Sequence, residues 1–359
     1  IHTPGRRAGE VLARARETVA ACLGATAREI YFTSGGSEAD NQAIRSAAYG
    51  GRKAGKNHLI ASAIEHHAVL HTLEALEQEG FSVTLLPVGE DGIVRMETVA
   101  AALRPETALV SVMFANNEVG TIQPVAELGA LCRARGVVFH TDGVQAAGHL
   151  PIDVAAQSID MLALSGHKFH GPRGVGALYV RRGVPLEPFV LGGAQERGKR
   201  AGTENLPAIA GMAAALEAAC GTMEADAARM TALRDRLTER LLAIPGCALN
   251  GDRARRLPGN VNVSFCGVEG ETLLLDQRGI AVSTGSACAS GSLEPSHVLL
   301  ALGKSREQAQ GSIRLTLGED TTAEDIHRAA EAVAECVARL RSFGDVSGGN
   351  GGKSSAGRM

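Results

Sequence analysis

The chain has 359 residues, 45% apolar, 21% charged and 3% aromatic, with no tryptophan and a net charge of −3. That length exceeds the usual single core, so two domains are expected. A slightly acidic, aromatic-poor chain lacks the basic stripe and stacking rings that nucleic-acid or anionic-membrane binding needs, so neither partner is expected.

Taken in chain order, a helical period opens at Glu10–Leu23. Short apolar runs then alternate with helical stretches. Strands are expected at Glu29–Thr33, His58–Ala61, Ser82–Leu86, Ala108–Phe114, Val137–Thr141, Met161–Leu164 and Ala177–Val180. Helices are expected between them at Glu38–Tyr49, Val69–Glu79, Met96–Leu103 and Val125–Arg135. This alternation predicts an α/β fold with a mostly parallel sheet between helices, whose ligands bind beyond the carboxyl ends of the strands. From Asn205 the pattern changes. A long helix to about Ile244 precedes strands at Val261–Phe265, Ile280–Ser283 and Ser312–Leu317, a helix at Glu269–Gln277 and a last helix at Ala323–Phe343. The expected division is a large domain over 1–222, a smaller C-terminal α/β domain over 223–343, and a Gly/Ser-rich, disordered tail over 344–359. No apolar run reaches about 18 residues, so no membrane span is expected, and no signal peptide is visible.

Several segments follow strands and carry chemistry. Thr33-Ser34-Gly35-Gly36-Ser37 joins a strand to a helix; its small residues suit a phosphate at the helix N-terminus, and equally an ordinary capping turn. Glu65-His66-His67 places an imidazole where it could stack on a flat cofactor, shuttle protons or sit in a polar loop; adjacent histidines alone make a poor metal site. Asp142 ends an apolar strand and fits either a helix cap or a partner for a protonated ring nitrogen. In Ser165-Gly166-His167-Lys168-Phe169-His170, a lysine at a strand end could form a Schiff base or lie solvated. Arg314 lies on one face of a strand, as a fork for a carboxylate or as a surface ion pair. Seven cysteines are dispersed, without C-x-x-C or metal spacing to histidine, which fits a reducing compartment such as the cytoplasm. Six read as small buried hydrophobes. Cys288, in Ser283-Thr-Gly-Ser-Ala-Cys-Ala-Ser-Gly-Ser292, sits among small polar residues where a reactive thiol stays accessible.

Together, Ser165-Gly-His-Lys-Phe-His-Gly-Pro172, Glu196-Arg-Gly-Lys-Arg-Ala-Gly-Thr-Glu204 and Ser286-Ala-Cys-Ala-Ser-Gly-Ser-Leu-Glu-Pro-Ser296 resemble the NifS/IscS-type cysteine desulfurases of the class V aminotransferases. These are fold-type I enzymes of pyridoxal 5'-phosphate (PLP), and the likeness runs from about His2 to Phe343. It implies removal of sulfur from L-cysteine, giving L-alanine and a persulfide on Cys288, for iron–sulfur cluster assembly or other sulfur transfer. By the resemblance, Lys168 carries PLP and serves as base, Asp142 pairs with the ring nitrogen, Gln145 bonds the ring oxygen, and His66 stacks on the ring. Gly36, Ser37, Ser165 and His167 match phosphate-side positions. Thr203 matches a threonine reaching the phosphate of the partner subunit, so a homodimer is implied. Asn117 lies near the substrate and Arg314 grips its α-carboxylate. No resident metal is implied, although Cys288 could ligate an iron–sulfur cluster transiently. A sulfur-acceptor protein, such as an iron–sulfur scaffold, is implied as partner. Two departures stand out: an Asp-Asn-Ala-Ala-Thr-Thr-type segment that usually precedes His2 is absent from this sequence, and Gly143 replaces a frequent alanine. The alternatives are a selenocysteine lyase, another PLP lyase or aminotransferase, or a non-catalytic assembly partner of the same fold.

Overall fold

The computed structural model describes residues 2–270, 279–284 and 294–348. Helix α1 (Thr3–Cys22) begins about two turns before its apolar period, because His2 Nδ1 accepts the Gly5 N–H at 3.0 Å and Pro4 is tolerated in a first turn. There follow β1 (Ile30–Thr33), α2 (Gly36–Lys53), β2 (His58–Ser62), α3 (His67–Gln78), β3 (Ser82–Leu86), α4 (Met96–Ala102), β4 (Thr107–Ser111), α5 (Val125–Ala134), β5 (Val138–Asp142), β6 (Met161–Ser165) and β7 (Gly176–Val180).

The seven strands form one sheet in the order β1-β7-β6-β5-β4-β2-β3. Neighbours from β6 to β3 pair in parallel, while β7 runs antiparallel to both β6 and β1. Every residue of β2, β4, β6 and β7 is buried, which explains their unbroken apolar runs: both faces are covered. Alternate residues go to opposite sides. Leu162 and Leu164 join the core that includes Val19 of α1 and Leu128 of α5, whereas Met161 and Ala163 pack with Ala39 and Ala43 of α2.

After a short helix α6 (Gln195–Gly198), helix α7 (Leu206–Leu242) runs for 37 residues, about 55 Å. Its Ile209, Met212 and Leu216 belong to the first core; its Leu237 and Leu241 belong to a second. By length and composition α7 could cross a membrane, contrary to the reading of the sequence, because small apolar residues dominate its first half. Here that half lays one face on the sheet's core.

The second core is built on a three-stranded antiparallel sheet, β10-β9-β8, from β8 (Cys247–Leu249), β9 (Asn260–Phe265) and β10 (Ser312–Thr316). Short helices α8 (His297–Ala301) and α9 (Arg306–Gln310) precede β10, and α10 (Ala323–Gly348) closes the chain's described part. Instead of the strand expected at Ile280–Ser283, only Ser283 pairs, as a single bridge to Arg314. Most of the helix expected at Glu269–Gln277, Cys288, and residues 349–359 lie outside the described residues.

Candidate active site

The carboxyl ends of the parallel strands converge, as an open α/β sheet requires of its ligand site. β1 leads into Gly36 and Ser37 at the start of α2; β2 leads to His66; β4 leads to Asn117; β5 ends at Asp142 with Gln145 in the following turn; β6 ends at Ser165 and leads to His167 and Lys168. All ten of Gly36, Ser37, His66, Asn117, Asp142, Gln145, Ser165, His167, Lys168 and Arg314 line one cavity of about 160 Å³. An adjoining cavity of about 400 Å³ shares Asn117, Gln145, His167, Lys168 and Arg314, and reaches the second sheet at Asn260 and Thr316. Thr203 is exposed and lines neither cavity. Asp40, Met113 and Val144 also line the smaller cavity. Reading the sequence did not single them out. Asp40's only signal was its position four residues after Gly36, one turn along the same helix face.

Local structure fixes each side chain. Lys168 sits in a 3₁₀ turn, Gly166–Phe169, closed by His170 in the left-handed region at φ 63°. The Lys168 carbonyl accepts from His149 Nε2 at 2.9 Å, and Ser165 Oγ lies 3.0 Å from His167 Nδ1. At the start of α2, a Cβ on Gly36 would fall 2.6 Å from Val144 Cγ2. Only glycine lets this helix terminus, with its unpaired N–H groups, come so close to the Asp142 turn. A Cβ on Gly143 would meet Leu162 Cγ at 3.0 Å, so an alanine there needs Leu162 to yield slightly. Asn116 ties down the loop that carries Asn117: its Oδ1 accepts from the N–H groups of Glu118 and Val119, and its Nδ2 donates to the Ile64 carbonyl.

The electrostatics favour a cationic group at Asp142. Asp142 is buried, and one carboxylate oxygen accepts the Val144 N–H at 2.9 Å. Burial pushes its pKa up to about 6; the Val144 N–H and Lys168 pull the other way. A protonated ring nitrogen would supply the missing counter-charge. His66 Nδ1 accepts the Ala68 N–H at 3.1 Å, which leaves the neutral ring's proton on Nε2. Burial, then Lys168, lowers its affinity for a second proton. His67 takes no part in the cavity: its ring packs on His297 and His71, with centroids 4.7 and 5.0 Å away. The two histidines that the sequence left adjacent are thus separated by the geometry. A buried carboxylate, a lysine, a stacking imidazole and a helix N-terminus form the donor set that PLP requires, so the residues present fit the cofactor.

Arg314 is reached from the other sheet. Its guanidinium donates to the Asn117 carbonyl at 2.7 Å, and its backbone exchanges hydrogen bonds with Ser283.

Known proteins share this chain's sequence and fold. The family profile for class-V aminotransferases matches residues 1–329. A "Cysteine desulfurase IscS" of Clostridium botulinum is 54% identical over 334 residues, covering 92% of this chain and 84% of that protein. The solved structure of a "NifS-like protein" superposes with a TM-score of 0.88 at 38% identity, over 94% of this chain and 90% of that one. Another, described as "SspA in complex with cysteine", gives a TM-score of 0.77 at 36% identity over 90% of each chain. The architecture is that of the fold-type I PLP enzymes, as expected from the sequence. The chain belongs to the class-V aminotransferase family.

Proposed function

We propose that the protein is a PLP-dependent cysteine desulfurase that moves the sulfur of L-cysteine onto Cys288 and releases L-alanine. The observation that carries this reading is the convergence of Lys168, Asp142, His66 and Arg314 on one cavity, from four separate elements and two sheets. Relatives named for this activity at 54% identity support it.

Lys168 would carry PLP covalently, with Asp142 at its ring nitrogen, Gln145 at its ring oxygen and His66 against its face. Gly36, Ser37, Ser165 and His167 would hold its phosphate, with Thr203 arriving from the partner subunit of a homodimer. When bound, PLP supplies an electron sink for the pair left at the substrate α-carbon. Arg314 binds the substrate α-carboxylate with its planar fork, and Asn117 positions both Arg314 and the substrate. Lys168 Nζ, once free, would take the α-carbon proton over a short path. His66 Nε2–H gives or receives a proton near the substrate thiol. The Cys288 thiolate then attacks the substrate sulfur. A bond between two sulfurs forms and the carbon–sulfur bond breaks; its electron pair stays with the β-carbon, which takes up a proton, and Lys168 would return a proton to the α-carbon to give alanine.

Ser283 lies five residues before Cys288 and bridges Arg314. The acceptor of the persulfide would be an iron–sulfur scaffold or another sulfur-carrying protein in a reducing, cytoplasmic setting. The two cores are read as two domains, a large one over 1–222 and a smaller one over 223–343, with α7 serving both.

The test is reconstitution with PLP, removal of free cofactor, and addition of cysteine. Alanine is expected to appear in step with protein-bound persulfide. In Lys168→Ala the cofactor absorbance is expected to wash away; absorbance that survives washing would overturn the assignment of Lys168. Faster turnover of an aminotransferase substrate than of cysteine would overturn the activity itself.

A further inference from the structure

Helices α1 and α7 pack on each other, and each brings a row of residues at helical spacing to the sheet's core. In α1 the row is Leu12, Ala15, Val19 and Cys22; in α7 it is Ile209, Ala213, Leu216 and Cys220. Both rows end on a cysteine. Alanines at 15, 20, 213 and 219 belong to the same core, and side chains that small let two helices approach closely. Cys22 and Cys220 are partly exposed, at the rim of this packing, and their thiols share a side-chain hydrogen bond. Reading the sequence took both for separate buried hydrophobes; the helix pair brings them together. Neither lines the cavities of the candidate site, and none of the steps above uses them.

Two thiols in contact, open to small molecules, meet the needs of a disulfide. The bond asks for facing Cα atoms about 4.4–6.8 Å apart, a separation that closely packed helices reach at their nearest residues. The two sulfurs are not alike. The hydrogen bond from Cys22 holds the Cys220 thiol down to about 7, and the same bond, with burial, pushes the Cys22 thiol up. Near neutral pH, Cys220 is thus the attacking thiolate and Cys22 the thiol in reserve.

We propose that Cys22 and Cys220 form a dithiol site that small-molecule disulfides oxidise to a bond joining α1 to α7. Cys220 Sγ attacks one sulfur of the reagent: a mixed disulfide forms, the reagent's own sulfur–sulfur bond breaks, and one thiolate leaves with the electron pair. Cys22 then gives up its proton and attacks Cys220 Sγ, and the second thiolate leaves. Two protein thiols are oxidised, one external disulfide is reduced to two thiols, and the two protons pass to those products. Excess thiol reverses the reaction, so in a reducing compartment the bond is transient. Because α7 takes part in both cores, the link fastens α1 to the helix they share.

The test treats the reduced, PLP-loaded protein with bis(2-hydroxyethyl) disulfide, which has no amino group to engage the cofactor. Free thiols are then alkylated and the protein is digested with trypsin without reduction. Cys22 falls in peptide 17–28 and Cys220 in peptide 201–229, each with a single cysteine. The expected result is these two peptides joined, from protein that still runs as a single chain on a non-reducing gel. The urea midpoint is expected to rise on oxidation and to return with dithiothreitol. In Cys22→Ser, Cys220 is expected to keep the hydroxyethyl adduct, for want of the second thiol, and the midpoint should not rise. Peptides 17–28 and 201–229 recovered unlinked from the native sequence, as separate adducts or as free thiols, would overturn the proposal. So would either cysteine joined mainly to another of the seven.

Discussion

Arg314 and Asn117 are 197 positions apart, yet the arginine's Nη1 donates to the asparagine's carbonyl at 2.7 Å. This bond joins the second sheet to the loop beyond β4 and sets the guanidinium at the wall shared by the two cavities. Lysine offers a point charge without a fork, so it cannot hold Asn117 and a substrate carboxylate in one plane. Arg314→Lys is expected to lower kcat/KM for cysteine by about 10- to 100-fold, mainly through KM, the scale of one charge-assisted hydrogen bond. Steady-state alanine production read beside the cofactor spectrum checks this. An unchanged KM with an intact spectrum would remove Arg314 from substrate binding.

Asp142 should lower the stability of the cofactor-free protein. Its folded pKa, about 6, lies above the usual carboxylate value because the group is buried. Such a group contributes its stability in full below pH about 4, and that contribution is lost as pH rises through about 6; the full loss is about 3 kcal/mol. Asp142→Asn removes the titration. Without PLP, the variant is expected to resist urea better than the native sequence at pH 8 and equally at pH 4. With PLP, the native sequence should gain more, since only the carboxylate pairs with a protonated ring. Equal urea midpoints at pH 8 without cofactor would count against the burial of an ionised Asp142.

Glu196 holds the sheet's edge to α1. It is 4% exposed, its two oxygens accept from the two terminal nitrogens of Arg16 at 2.6 Å each, and one also accepts the Phe32 N–H at 2.9 Å. Removing one member of such a pair strands the other, so Glu196→Ala is expected to cost about 3–5 kcal/mol, read as a lower urea midpoint. Arg16→Ala should cost less, because the Phe32 N–H still faces the carboxylate. The reverse order would contradict this account.

Much of this site was legible in the sequence because parallel strands announce themselves. β3 (Ser82–Leu86), an edge strand with one buried residue, was read to the residue, and the other six strands of the large sheet were located; full burial of β2, β4, β6 and β7 on both faces leaves short apolar runs that stop at small polar residues. Those stops are where Gly36, His66, Asp142 and Lys168 stand. The resemblance then chose His66 over His67, which the spacing alone left open; in the structure His66 lines the cavity and His67 packs on His71 and His297. What escaped had weaker signatures. β8 has three residues, none fully buried, so no period forms. The first residues of α1 are mostly exposed and its start rests on one histidine cap. Asp40 reads as an ordinary polar residue of a helix until β5 is laid beside it, and the contact of Arg314 with Asn117 has no local trace at all.

The central claim is that sulfur leaves cysteine for Cys288. The measurement that tests it most directly is mass spectrometry of the Cys288-containing peptide after a single addition of cysteine to the PLP-loaded protein, with alanine assayed in the same sample. The account predicts one additional sulfur atom on that peptide and a matching amount of alanine. It predicts neither the extra sulfur nor appreciable alanine in Cys288→Ser, whose cofactor absorbance should be retained. Persulfide formed in Cys288→Ser, or sulfur found on another of the seven cysteines while Cys288 stays unmodified, would contradict it.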